Sequence, residues 1–175
     1  NKRLFMAGGV TDECKVYRYL CYANMLKIPG KCNAAESVQE EFKQVIEAKE
    51  VLILPIATII ETGNHIAHID SGNIRRTIAQ KFGEYLRKTA EGEAPWQLYG
   101  VELDKEGLLY LADHIEENAI REIGIGDMSI IHAYEQYRDT VPGIGRIMIW
   151  STDTHLQGYC EENVSVTVNR RRKRS

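Results

Sequence analysis

The sequence predicts an α/β fold of three layers, α/β/α, around a central, mainly parallel sheet. Three observations predict it. The chain has 175 residues, enough for a single packed domain. Helical and strand-like patterns alternate along it, as they do in proteins whose helices cover a sheet. Its two strongest apolar runs, Val51 to Pro55 and Arg146 to Trp150, are continuous rather than alternating, which is how a strand buried on both faces reads. Apolar residues make up 43% and charged residues 27%, with 4 Pro and 14 Gly, and this excludes a collagen-like, low-complexity or broadly disordered chain.

The elements follow in order. Leu4 to Thr11 reads as a short opening strand. Glu13 to Lys27 carries Val16, Tyr19, Leu20, Ala23 and Leu26 at three- and four-residue steps and predicts a helix that stops at Pro29-Gly30. Ala34 to Ala48 predicts a second helix, with Val38, Phe42, Val45 and Ile46 on one face. After the strand Val51 to Pro55, helical spacing returns from Ala57 to about His68. Asp70-Ser71-Gly72-Asn73 is a turn that offers N-caps to a helix over Ile74 to Lys88. Ala90 to Gly100, with Gly92, Pro95 and Gly100, reads as a long loop that Trp96 and Tyr99 anchor to the body. Lys105 to Ile123 is helical, Gly124-Ile125-Gly126 breaks it, and Asp127 opens a helix through Tyr137. Pro142 to Gly145 turns the chain into the strand Arg146 to Trp150, and Val164 to Val168 is read as a further or edge strand. The expected domain is 1–168, followed by a basic, disordered tail over 169–175.

Cys14, Cys21, Cys32 and Cys160 contain no Cys-x-x-Cys pair, so neither a disulfide framework nor a tetrathiolate zinc site is indicated. The longest apolar stretch, Val51 to Ile60, is about half of what a membrane span needs, and the amino-terminal segment lacks the apolar core of a secretory signal. A cytoplasmic protein with no membrane partner is therefore expected. The net charge of −3 hides an asymmetry: five of the 22 basic residues lie in the last six positions, leaving an acidic body and a tail suited to phosphates. No phosphate loop, dinucleotide fingerprint or nucleophile elbow occurs, so ATP, NAD and serine-hydrolase chemistry are not indicated.

In parallel sheets, ligands bind beyond the carboxyl ends of the strands. The polar residues expected there are acidic: Asp12 after the first run, Glu61 in the helix after Val51 to Pro55, Asp127 at a helix start, and Asp153 after Ile147 to Thr152. Carboxylates gathered without a partner repel one another, and a hard divalent cation among them removes that cost. Alone, Asp127 and Asp12 are ordinary helix caps, Asp153 a turn residue and Glu61 a solvated helical side chain. Their joint placement is what points to a shared metal site.

These segments resemble the PIN-domain ribonucleases, a family that includes toxins of the VapC type. The likeness rests on four stretches in the family's order: Asp12 to Leu20, Leu54 to Asn64 around Glu61, Gly126 to Ile131 around Asp127, and Ile149 to Leu156 around Asp153. The first departs most, with Glu13, Cys14 and Lys15 where the family carries Thr, a small polar residue and an aliphatic one. The resemblance implies a metal-dependent endoribonuclease in which Asp12, Glu61, Asp127 and Asp153 hold Mg²⁺ or Mn²⁺ and water is activated against an RNA phosphodiester. Ser151 would orient a carboxylate or water. It also implies a toxin role with an antitoxin protein as partner, and a homodimer.

Arg75, Arg76, Lys81, Arg87 and Lys88 give one helix a basic character, and Arg75, Arg76, Arg170 and Arg171 are the candidates for RNA contact. Two other readings stay open. The domain could be a catalytically weak RNA-binding or protein-interaction module. Alternatively, Glu61, His65 and His68, at i, i+4 and i+7, could present a zinc site for a different hydrolase, or the two histidines could contact phosphate when protonated.

Overall fold

The computed structural model describes residues 13–17, 24–99, 104–141, 144–151, 156 and 158–162. They form a mixed α/β, mainly helical fold with this order: β1 (Glu13–Tyr17), α1 (Ala35–Glu47), β2 (Val51–Pro55), α2 (Ile56–Ala67), α3 (Gly72–Glu91), β3 (Gln97–Tyr99), α4 (Lys105–Ile120), α5 (Ile125–Thr140), β4 (Arg146–Trp150) and β5 (Cys160–Glu162). The strands make one sheet in the order β3-β2-β1-β4-β5. The pairs β1–β2, β1–β4 and β2–β3 are parallel, and β5 closes the β4 edge antiparallel.

Alternate residues of β2 enter different cores, as a strand covered on both faces requires. Leu52 and Leu54 join Val38 and Val45 of α1, Ile78 and Phe82 of α3, and Trp96 and Trp150. Ile53 joins Ile130, Ile131 and Tyr134 of α5, with Ile147 and Ile149 of β4. The first cluster is rich in rings: Phe42 stacks on Trp150 at 6.4 Å between centroids, and Trp96 meets Tyr85 edge-on at 5.8 Å. Trp96 Nε1 donates to Thr89 Oγ1 at 2.8 Å, so it anchors the segment after α3 on the body. That helix starts at a Ser71 cap, whose Oγ accepts from Ile74 N, and ends at Gly92, whose φ of +73° favours a residue without Cβ.

Several expectations are corrected. Glu13–Tyr17 is strand and not the start of a helix, because both neighbours in the sheet, β2 and β4, pair with it and override the helical spacing. Part of the expected long loop, Gln97–Tyr99, is an edge strand on β2. The helix from Lys105 stops at Ile120, with Glu122 at a left-handed φ of +61°. Gly124, not Asp127, is the N-cap of α5, so Asp127 lies in the first turn. The expected strands at 4–11 and 164–168 and the basic tail lie outside the described residues. No helix among the described residues is long and apolar enough to cross a membrane.

Candidate active site

Because β1 to β4 are parallel, their carboxyl ends at Tyr17, Pro55, Tyr99 and Trp150 share one edge of the sheet. The chain runs outward from β1 through β2 to β3 and then resumes as β4 on the other side of β1. The β1/β4 junction is thus the switch point at which such sheets open a crevice. Ser151, buried, is the residue that leaves β4 there.

Two helices bring their amino ends to this edge. Helix α2 starts directly after β2, with Pro55 as its N-cap, and Ala57 in its first turn packs in the α5 cluster. Helix α5 ends where β4 begins: Arg138 in its last turn donates through Nη1 to Glu161 at 2.8 Å, and Glu161 is the cross-strand partner of Ile147. Its amino end therefore points to the opposite, carboxyl edge.

Glu61 of α2 reaches the amino end of α5, whose first turn carries Asp127. The Glu61 carboxylate lies against Gly126, so close that a Cβ at this position would overlap it. Only a glycine there leaves the space, and Asp127 is the next residue. The half-buried Glu61 carboxylate thus lies at the first turn of a helix, which also carries the half-buried Asp127 and whose exposed N–H groups and dipole favour negative charge. Buried hydroxyls surround them in sequence: Thr58 and Thr62 flank Glu61 on α2, and Ser129 follows Asp127, its Oγ donating to Gly126 O at 2.9 Å. The oxygen donors suit a hard cation, and Mg²⁺ typically takes only one or two protein carboxylates, keeping waters and substrate phosphates for the rest. Among the described residues no group of three or more His, Cys, Asp or Glu is placed to hold a metal. Asp12 and Asp153 lie outside the described residues, as do Arg170 and Arg171. Asp153 follows Ser151 by two positions, and Asp12 immediately precedes β1 in sequence.

The zinc reading is corrected. Glu61 faces Gly126 of α5, while His65 and His68 line a separate cleft with Lys31. His68 lies past the last residue of α2, and its Nδ1 is engaged by Asn64 O at 2.7 Å. The five cations of α3 are exposed, and Arg75 donates through Nη1 to Ile69 O at 2.9 Å.

A second polar cluster had no signal in the linear sequence, because it forms between two helices. Tyr110 of α4 stacks on His132 of α5 at 4.1 Å and on His114 at 4.3 Å. His132 is 5% exposed, and its Nε2 is buried with no hydrogen-bond partner among the described residues. Burial holds this imidazole below its usual range, against the opposing pull of Glu135 and Asp104. Burial and the Glu135 carboxylate push the Tyr110 phenol up to about 12. The Tyr110–His132 pair thus favours a neutral phenol against a neutral imidazole.

Comparison with family models, curated proteins and solved structures finds no match to this chain.

Proposed function

We propose that the chain is a PIN-like, three-layer α/β/α domain acting as a Mg²⁺- or Mn²⁺-dependent endoribonuclease. The observation that carries this reading is the Glu61 carboxylate seated against Gly126 beside Asp127, at the carboxyl edge of a mainly parallel sheet. Glu61 and Asp127 would hold the ion from α2 and α5, and by the resemblance Asp153 would join them. Asp12 enters only through the resemblance. When bound, the ion supplies polarisation of the scissile phosphodiester and acidification of a water. The residues themselves fix position. Gly126 admits the Glu61 carboxylate, the first turn of α5 orients both acids, and the Ser151 hydroxyl aligns a ligand group at the switch point. The toxin role, the antitoxin partner and the homodimer belong to the same proposal by resemblance.

The presence of only two acids in the described part of the site favours a second reading, a PIN-like module that binds RNA or protein with little catalysis. The two separate in one assay: cleavage of a labelled single-stranded RNA with Mn²⁺ or Mg²⁺ and with EDTA. Nuclease function gives EDTA-sensitive cleavage that falls about a hundredfold or more in Glu61→Gln and in Asp127→Asn. Metal-independent or absent cleavage by pure, folded protein removes it.

A further inference from the structure

A cleft of about 380 Å³ opens between the 28–31 turn, the end of α2 and the start of α3, at the low end of the size range of small-ligand sites. Lys31, His65 and His68 line it over the buried Ile28 and Ile69. Asp70 is the one carboxylate lining it among the described residues, and Arg75 stands behind the Ile69 wall, held by the Ile69 carbonyl. We infer that this cleft binds a phosphate group of the RNA ligand, with Lys31, His65 and His68 as its donors.

The chemistry is the inverse of the acidic site. Three cationic or protonatable groups converge with one opposing charge, and an anion removes their mutual repulsion. Burial first, then the charges of Lys31 and His68, hold His65 below the ordinary imidazole range, so a bound anion reverses part of that depression. His68 is held in place by its Nδ1, which donates to Asn64 O, and so adds a second imidazole to the cleft lining. Binding of an anion beside His65 is therefore linked to proton uptake at that ring and strengthens as pH falls.

The RNA assignment rests on the proposed nuclease reading and on placement. His65 follows Glu61 by four residues on α2, one turn further along the helix, roughly 6 Å of rise. A strand running along α2 meets the acid pair with one phosphate and the cleft with a neighbouring one.

The test uses the full chain in EDTA, where no metal-dependent cleavage intervenes. The imidazole resonances of His65 and His68 are titrated with inorganic phosphate at constant ionic strength, with chloride as the control, and then with a short single-stranded RNA. Phosphate is expected to shift the resonances of both rings and to raise the apparent pKa of His65, with affinity weakening by up to about tenfold per pH unit as that ring loses its proton. RNA is expected to compete with phosphate. Lys31→Gln, an exposed substitution that leaves the core untouched, is expected to weaken binding about tenfold, and Lys81→Gln, outside the cleft, to leave it unchanged. An equal response to chloride, or no response to phosphate, overturns the site. Phosphate binding without competition by RNA overturns the RNA assignment. Loss of the nuclease reading alone would appear as histidine shifts intact in a protein without EDTA-sensitive cleavage.

Discussion

The α1 and α3 side of the sheet is closed by aromatic rings packed on one another, whereas the α5 side keeps polar groups inside its packing. On the first side Phe42, Phe82, Trp96 and Trp150 fill the space between helices and strands. On the second, Ser129 and His132 of α5 are buried, Tyr134 packs among Ile130, Ile131, Ile147 and Ile149, and burial and the nearby Glu161 push the Tyr134 phenol upward. Dispersion and burial hold the ring-rich side together, and they need no particular protonation state. The polar side gives up part of that stabilisation and gains titratable and oxygen-bearing groups beside the carboxyl edge. A domain divided in this way has a scaffold face and a chemical face, and the same kind of substitution has different consequences on each.

The largest expected effect is on the scaffold face. Trp96→Ala removes a buried indole, its contacts with Phe42 and Tyr85 and its hydrogen bond to Thr89, and should cost about 3–5 kcal/mol in urea unfolding. RNA cleavage per folded molecule should stay unchanged. An equal loss in cleavage would mean that the two faces are not separable.

On the chemical face the order reverses. Gly126→Ala adds a Cβ where the Glu61 carboxylate lies, and that flexible carboxylate swings aside. Unfolding free energy should change by less than about 1 kcal/mol, since Ala is the better helix former. Cleavage should fall about tenfold, roughly 1.4 kcal/mol of transition-state stabilisation. Unchanged cleavage would show that the position of Glu61 is structural.

The smallest effect is a pH dependence. His132 is held below the ordinary imidazole value by burial, so the unfolded chain binds the proton more readily than the folded one. Its contribution is intact above about pH 6.5, the unfolded value, and is lost as pH falls toward the lower folded value. Denaturant unfolding at pH 7.5 and 5.0 should show this loss in the wild type and a flatter profile in His132→Phe, which keeps a ring beside Tyr110. Parallel profiles would remove His132 as the cause.

Much of the fold is legible in the sequence wherever one short-range pattern decides the element. Val51–Pro55 and Arg146–Trp150 are strands as read, because a five-residue apolar run has no helical alternative of useful length. Helices α1 to α5 follow their apolar spacing, with ends shifted by a few residues. β1 is not legible: Glu13–Tyr17 carries helical spacing, and only its two sheet partners make it a strand. β3 and β5, three residues each, are fixed by the edge that they pair with rather than by their own composition. The site divides likewise. Glu61 and Asp127 are legible as acids beyond apolar runs, but the approach of Glu61 to the first turn of α5 depends on Gly126, which in sequence reads only as a helix break. The Tyr110–His132 stack and the Lys31–His65 cleft join separate elements, and no local pattern announces them.

The most direct test of the shared acidic site is Mn²⁺ binding to the full chain, followed by electron paramagnetic resonance, in the wild type, Glu61→Gln, Asp127→Asn and Gly126→Ala. Binding weakened about tenfold or more by each carboxylate substitution, and to a smaller degree by Gly126→Ala, is the expected result. Affinities that are the same in all four proteins would contradict a cation site built from Glu61 and Asp127.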